Sequence, residues 1–112
     1  MSARAQARLW LAQRATAAVL ALCVAVHLAT MIVAVRGGLT AAAILGRTRG
    51  SALWASFYAL FVLAVAVHAS IGLRTIAAEW LGWRGRAADV AFFAAGLGLV
   101  ALGAYAIVAV IR

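Results

Sequence analysis

Three long apolar stretches organise the chain, and charged residues are confined to the segments between and before them. The stretches are Ala15–Val35, Leu53–Leu73 and Val90–Ile111, and none contains Asp, Glu, Lys or Arg. Each is long enough to supply the about 20 apolar residues that a helix needs to cross a bilayer. The pattern therefore predicts an all-α integral membrane bundle of three transmembrane helices, forming a single membrane-anchor domain over residues 1–112.

The connecting segments carry weaker signals. The N-terminal "SARAQARLWLAQR" mixes arginine with apolar residues, which predicts a short interfacial helix leading into the first span. The first loop has glycines at both ends, and its middle, "LTAAAILGR", is expected to form one or two amphipathic turns. The second loop carries two tryptophans, which suit the headgroup level of a membrane.

Small residues in the third span predict close helix packing. Small side chains let helices approach each other in lipid, where packing drives association. Ala94 and Gly98 form a small-xxx-small pair within this set, whose members are Ala94, Ala95, Gly96, Gly98 and Gly103.

Composition and charge support a membrane location. The chain is 69% hydrophobic, against about 45–50% in a soluble domain. The ten basic residues are all arginine, the only acids are Glu79 and Asp89, and the net charge is +8. Because the arginines flank the spans, the charge indicates topology rather than nucleic-acid binding. An N-terminus inside places six arginines in inner segments and four in outer ones, which favours a cytoplasmic N-terminus.

The first span is expected to be retained in the protein. Its apolar run exceeds the about 7–15 residues of a signal-peptide core, and no convincing cleavage site follows. The single cysteine, Cys23, excludes an internal disulfide and is interpreted as a small apolar residue.

Two histidines, His27 and His68, lie inside predicted spans and are the ionisable residues to explain. An intramembrane ionisable residue is a functional hypothesis by default, because placing it there is costly. Catalytic zinc would need a third ligand at that depth, a proton path would normally show an intramembrane acid, and no serine–histidine–acid set is available. Haem remains, because one neutral imidazole per helix is sufficient to ligate it.

The residues after His68 suit a haem ligand. Gly72 lies one turn on, on nearly the same face, and leaves room for a flat ring. Arg74 lies about 9 Å further along the helix axis and could reach a propionate at the membrane surface. The alternative is that His68 hydrogen-bonds a carbonyl of a neighbouring helix and that Arg74 only marks the interface.

The stretch "HASIGLRTIAAEWLG" resembles the His-x-x-x-Gly-[Ile/Leu]-Arg-x-x-x-x-acid-[aromatic] motif of the cytochrome b membrane anchors of succinate dehydrogenase and fumarate reductase (respiratory complex II). "AQRATA" at 12–17 is similar to the arginine-plus-hydroxyl segment that opens the first span in that family. The resemblance implies that His68 is an axial ligand of haem b and that Arg14 helps to bind quinone or a propionate. Trp10 stands where the family usually has serine, and Ala17 where it has glycine.

His27 is expected to lie at a different depth from His68. Counting along the helices places the two rings roughly 10 Å apart in depth, too far to ligate one iron together. "AVHLATM" resembles the first-span His-Leu of two-haem members of the family, which makes His27 a candidate ligand of a second haem. The alternative is that His27 is structural.

The sequence thus predicts a haem b-binding anchor of a succinate:quinone oxidoreductase, with Arg14, Trp10 and Thr16 at the quinone site and Arg74 at a propionate. The chain lacks a nucleotide-binding glycine loop and a cysteine set for iron–sulfur clusters, so separate flavoprotein and iron–sulfur subunits would perform the dicarboxylate chemistry. A second membrane-anchor subunit, or a second copy of the chain, would supply each haem's other axial ligand.

Two other classes compete with this prediction. One is a haem-free helical accessory, assembly or transport subunit whose histidines bond helix carbonyls. The other is a b-type cytochrome anchor of a hydrogenase or formate dehydrogenase, although such anchors usually have four or more spans. The lysine-free, alanine- and arginine-rich composition suggests a GC-rich bacterial genome, and hence the bacterial inner membrane.

Overall fold

The computed structural model describes all 112 residues as four helices joined by short turns: α1 Ala3–Gly37, α2 Ala41–Thr48, α3 Ala52–Leu81 and α4 Arg86–Ile111. The first three begin at hydroxyl caps, in which the side chains of Ser2, Thr40 and Ser51 accept backbone N–H bonds from the first turn. The three long helices have the length and apolar character of membrane spans, which confirms the predicted all-α bundle of three transmembrane helices.

The helices extend beyond the predicted spans. The N-terminal segment is continuous with the first span rather than a separate interfacial helix, because no glycine or proline interrupts the chain from Ala3 to Arg36. At about 1.5 Å per residue, α1 is about 52 Å long and overshoots a hydrocarbon core of about 30 Å. The additional turns of α3 end at Gly82, whose left-handed backbone (φ 65°) stops the helix.

The short helix α2 closes the end of the bundle opposite the N-terminus. It occupies the segment where the sequence predicted amphipathic turns. The hydroxyl of Thr48 donates to the carbonyl of Val110 at 2.6 Å, and the N–H of Gly50 donates to the carbonyl of Ile111 at 2.7 Å. These bonds satisfy carbonyls at the end of α4 that have no partner within the helix.

Helix α3 is the centre of the bundle. It packs against both α1 and α4, whereas α1 and α4 make few contacts with each other. Only 7 of the 112 residues are buried, and the buried apolar ones are small, namely Cys23, Ala64, Ala66, Ala77 and Ala88. The chain alone therefore has no large apolar core, and most large apolar side chains face outward, towards lipid or other subunits.

Two glycines of α4 set its distance from α3. A Cβ at Gly96 would collide with Ser70, and a Cβ at Gly103 would collide with Val62. Gly98 has open space around it, and Ala94 is exposed, so the small-xxx-small pair suggested by the sequence does not form the contact between α4 and α3. The two contacting glycines, Gly96 and Gly103, are seven residues apart and therefore lie on the same face of α4, which is the spacing typical of a helix-packing contact.

The substitution Gly96→Ala should destabilise the bundle by about 1–3 kcal/mol, because its Cβ overpacks the contact with Ser70. Gly98→Ala, on the same helix with free space around it, is the matched control and should leave the stability unchanged or slightly higher. Denaturant titration of the two variants in the same lipid would measure this. Equal stabilities would contradict the assigned packing face.

An ion pair joins α3 to α4 at the end of the bundle that holds the N-terminus. The guanidinium of Arg74 donates to the carboxylate of Asp89 at 2.5 Å, and both side chains are partly exposed. Asp89 lies in the first turn of α4, where a negative charge is also favoured by the helix dipole. The other acid, Glu79, forms no ion pair.

The substitution Asp89→Asn should lower the free energy of unfolding by at most about 1 kcal/mol, because the pair is solvent-accessible. The loss should shrink as salt is added, since screening already weakens the wild-type pair. Glu79→Gln is the control, and denaturation at low and high salt is the measurement. An equal loss in both variants would show that the pair contributes nothing specific.

Candidate functional site

The imidazole of His68 lies between α3 and α1. Its Nδ1 is 3.3 Å from the hydroxyl oxygen of Thr16, and both side chains are half-buried. The same hydroxyl lies 2.7 Å from the carbonyl oxygen of Ala12 and 3.1 Å from that of Gln13. The polar atoms that approach the His68 ring from this chain therefore come from α1.

Gly72 faces α1 one turn after His68. A Cβ at Gly72 would approach Nε2 of Gln13 to 3.0 Å. Gln13 and Thr16 are one turn apart on α1, as Gly72 and His68 are on α3, so the two pairs face each other across the antiparallel helices. The space left by the missing side chain of Gly72 is filled by Gln13, and haem packing at Gly72 stays a prediction.

Gln13 was not assigned a role from the sequence. Its side-chain oxygen is buried without a hydrogen-bond partner, which usually carries a free-energy cost. The signal that could have identified it was the presence of two polar residues, Gln13 and Thr16, on one face at the start of an apolar span.

Arg74 is the residue predicted to reach a propionate, and the structure places it against Asp89. A haem propionate could pair with Arg74 only by sharing its guanidinium with Asp89 or by displacing the Asp89 carboxylate. The sequence offered no signal for the pairing, because the two residues belong to different helices and only the turn between α3 and α4 brings them together.

The three residues predicted at a quinone site do not share a face of α1. The guanidinium of Arg14 lies 5.3 Å from the centre of the Trp10 ring, a cation–π contact between residues one turn apart. Both side chains are exposed. Thr16 points to His68 instead, about 200° around the helix from Arg14.

The end of the bundle that holds the N-terminus contains an open groove of about 630 Å³. Trp10, Gln13 and Arg74 are among its lining residues, and Glu79 and Trp83 complete its polar and aromatic wall. A second groove of about 560 Å³ lies beside it, where Arg4, Arg8 and Arg74 stand next to Phe92 and Phe93. Both grooves open at the end of the helix bundle where most of the arginines lie.

His27 lies in the half of the bundle away from the N-terminus, among aromatic rings. Its ring is edge-on to Tyr58 at a centroid distance of 6.2 Å and to Phe61 at 5.6 Å. It also lines an apolar groove of about 500 Å³ between α3 and α4, together with Leu99, Leu102 and Gly103 among others. His68 lines none of these three grooves.

The two histidines are well separated in depth. His27 contacts Tyr58, which lies ten residues before His68 on the same helix. At about 1.5 Å per residue, this places the two rings about 15 Å apart along α3, further than the sequence count suggested. One iron cannot be ligated by both residues of the same chain at that separation.

No curated protein and no solved structure matches the chain. The family model described as "Succinate dehydrogenase/Fumarate reductase transmembrane subunit" matches residues 1–111. This match covers all three spans and both histidines. The chain therefore belongs to the family of transmembrane subunits of succinate dehydrogenase and fumarate reductase.

Proposed function

We propose that this chain is the haem b-binding membrane anchor of a succinate:quinone oxidoreductase. The observation that carries the proposal is the imidazole of His68, which lies half-buried inside the acid-free apolar stretch Leu53–Leu73, in a member of this family. Placing an ionisable ring there costs free energy, so a histidine at such a position is a functional hypothesis by default. The chain is a multi-pass membrane protein of the complex, and its specific tasks are the subject of the proposal.

The donor set of the chain fits a haem. A bound haem b supplies a one-electron carrier in the apolar part of the membrane. His68 would hold the iron through the imidazole nitrogen that does not face Thr16. Gly72 would lie near the ring, and Arg74 would pair with a propionate at the inner surface. Because His27 lies about 15 Å away in depth, the second axial ligand must come from a partner anchor subunit or a second copy.

His27 is proposed to hold a second haem near the outer face. The support is its position beside an apolar groove of about 500 Å³ that contains no charged residue. The competing role is structural, since the edge-on contacts with Tyr58 and Phe61 also stabilise a neutral ring.

Quinone is proposed to bind near Arg14 and Trp10 at the inner end of α1. The guanidinium can donate hydrogen bonds to a quinone carbonyl, and the Trp10 ring offers an aromatic surface beside it. Trp10 also lines the inner groove of about 630 Å³, which connects this surface with the polar wall around Gln13. Thr16 was predicted to join this site, but its contact with His68 favours a role at the haem.

Docking of the flavoprotein and iron–sulfur subunits is proposed at the basic inner end. Six arginines belong to this end, and a positive surface steers and orients acidic partners. They are Arg4, Arg8, Arg14, Arg74, Arg84 and Arg86. The same bias supports an N-terminus on the cytoplasmic side of a bacterial inner membrane.

A haem-free accessory, assembly or transport subunit is the second candidate. The observation in its favour is the contact of His68 with Thr16, which satisfies one ring nitrogen within the chain. This role leaves the other ring nitrogen without a function. A reduced-minus-oxidised spectrum of the assembled complex decides between the two, because only the haem anchor gives a b-type band.

The substitution His68→Ala should abolish the haem that this residue ligates, and His27→Ala should abolish only a second haem. Haem quantitation in the purified complex, combined with the reduced-minus-oxidised spectrum, measures both. A His68→Ala complex with the full haem content would contradict the ligand assignment. A His27→Ala complex with unchanged haem content would make His27 structural.

The substitution Arg14→Gln should reduce quinone reduction about tenfold or more while the haem spectrum stays unchanged. A hydrogen bond to a charged group contributes about 1.5–3 kcal/mol, and about 1.4 kcal/mol corresponds to tenfold. Arg36→Gln, at the opposite end of α1, is the matched control. Steady-state assays with varied quinone measure the change, and equal rates for both variants would remove Arg14 from the quinone site.

A further inference from the structure

The hydroxyl of Thr16 links His68 to the backbone of α1. A threonine hydroxyl has one proton to donate and lone pairs to accept. Its oxygen lies 2.7 Å from the carbonyl oxygen of Ala12, a short contact of the kind that helical threonines make with the preceding turn. The contact with Nδ1 of His68 is longer, at 3.3 Å. The proton therefore goes to the carbonyl, and the hydroxyl oxygen accepts from Nδ1–H.

This arrangement determines which nitrogen of His68 carries the proton. In a neutral imidazole one nitrogen donates and the other has a free lone pair. With Nδ1 protonated, the lone pair belongs to Nε2, which is the nitrogen turned away from Thr16. A fixed tautomer of this kind is how a neighbouring hydrogen bond prepares a histidine to ligate a metal.

The packing of α1 on α3 makes this contact possible. Gly72 has no side chain, and Nε2 of the Gln13 side chain lies 3.0 Å from where a Cβ would be. One turn away, Thr16 of α1 lies within hydrogen-bond distance of His68. The contact between Thr16 and His68 therefore depends on how α1 packs against α3.

We propose that Thr16 is a positioning residue for His68: it holds the ring in the Nδ1–H tautomer, orients Nε2 towards an iron and strengthens that nitrogen as a ligand. The inference rests on the proposed haem anchor and replaces the quinone role predicted for Thr16. An Nδ1–H bond to an acceptor makes the imidazole a stronger donor to iron. A stronger donor favours the ferric over the ferrous state and lowers the reduction potential.

The test compares Thr16→Val with Thr16→Ser and the wild type in the assembled, co-expressed complex. Valine keeps the shape of threonine but cannot accept the bond, whereas serine keeps the hydroxyl. Thr16→Val should weaken haem binding about 10–100-fold, as loss of such a supporting bond does at metal sites, and shift the potential of this haem upward. Thr16→Ser should restore both values to near wild type. Redox titration and the rate of haem transfer to a scavenging apo-haemoprotein are the measurements.

Thr30→Val is the matched control, because its hydroxyl on the same helix donates only to the carbonyl of His27. It should leave the potential of the His68 haem unchanged. A second measurement needs no variant: histidine labelled with ¹⁵N in the reduced wild-type complex should show a protonated Nδ1 at His68. An unprotonated Nδ1, or a Thr16→Val complex with wild-type potential and haem retention, would overturn the role of Thr16.

The outcomes separate this inference from the proposed function. A wild-type complex without a b-type band, or a His68→Ala complex with full haem, defeats the haem anchor and the role of Thr16 with it. A haem that depends on His68 but not on Thr16 defeats only the positioning role. If Thr16→Val changes quinone kinetics and leaves the potential untouched, Thr16 belongs to the quinone site.

Discussion

The close approach of α3 to its two neighbours is the constraint on which the rest of the structure depends. In lipid, helices gain little from burying apolar surface and associate where small residues allow contact. On the α4 side this contact is made at Gly96 and Gly103, and on the α1 side Gly72 leaves room for the side chain of Gln13. The same approach that packs α1 on α3 brings the Thr16 hydroxyl to His68. The packing of α1 on α3 and the polar contact of Thr16 with His68 therefore depend on each other.

The architecture could be predicted from the sequence because a membrane span has a strong, local signal. Charge-free apolar runs determine the number of spans, and the residues that bound them determine their ends to within a few turns. The extension of α1 to Ala3 was not predicted, since arginines suggest an interface but do not interrupt a helix. The glycines of α4 that contact α3 could not be told from the others in the sequence, because Gly96 and Gly98 are the same residue type and differ only in orientation.

The candidate site could be predicted only where one helix carries it. His68 and His27 stand out because an ionisable residue in a span is rare. The partners of these residues lie on other helices, and their identity depends on the antiparallel register. Three contacts are of this kind: the ion pair of Arg74 with Asp89, the contact of His68 with Thr16, and the packing of His27 against Tyr58 and Phe61. Nothing in the local sequence of one helix specifies them.

The proposed haem site would be incomplete within this chain alone. The two imidazoles of this chain are about 15 Å apart in depth. The chain can therefore offer any one iron a single imidazole nitrogen. The bundle buries few residues, and α1 and α4 hardly touch. A subunit that inserts further helices against these exposed faces would both cover apolar surface and supply the missing ligands. The interactions that complete the fold in the membrane and those that complete the cofactor site would then be formed by the same partner.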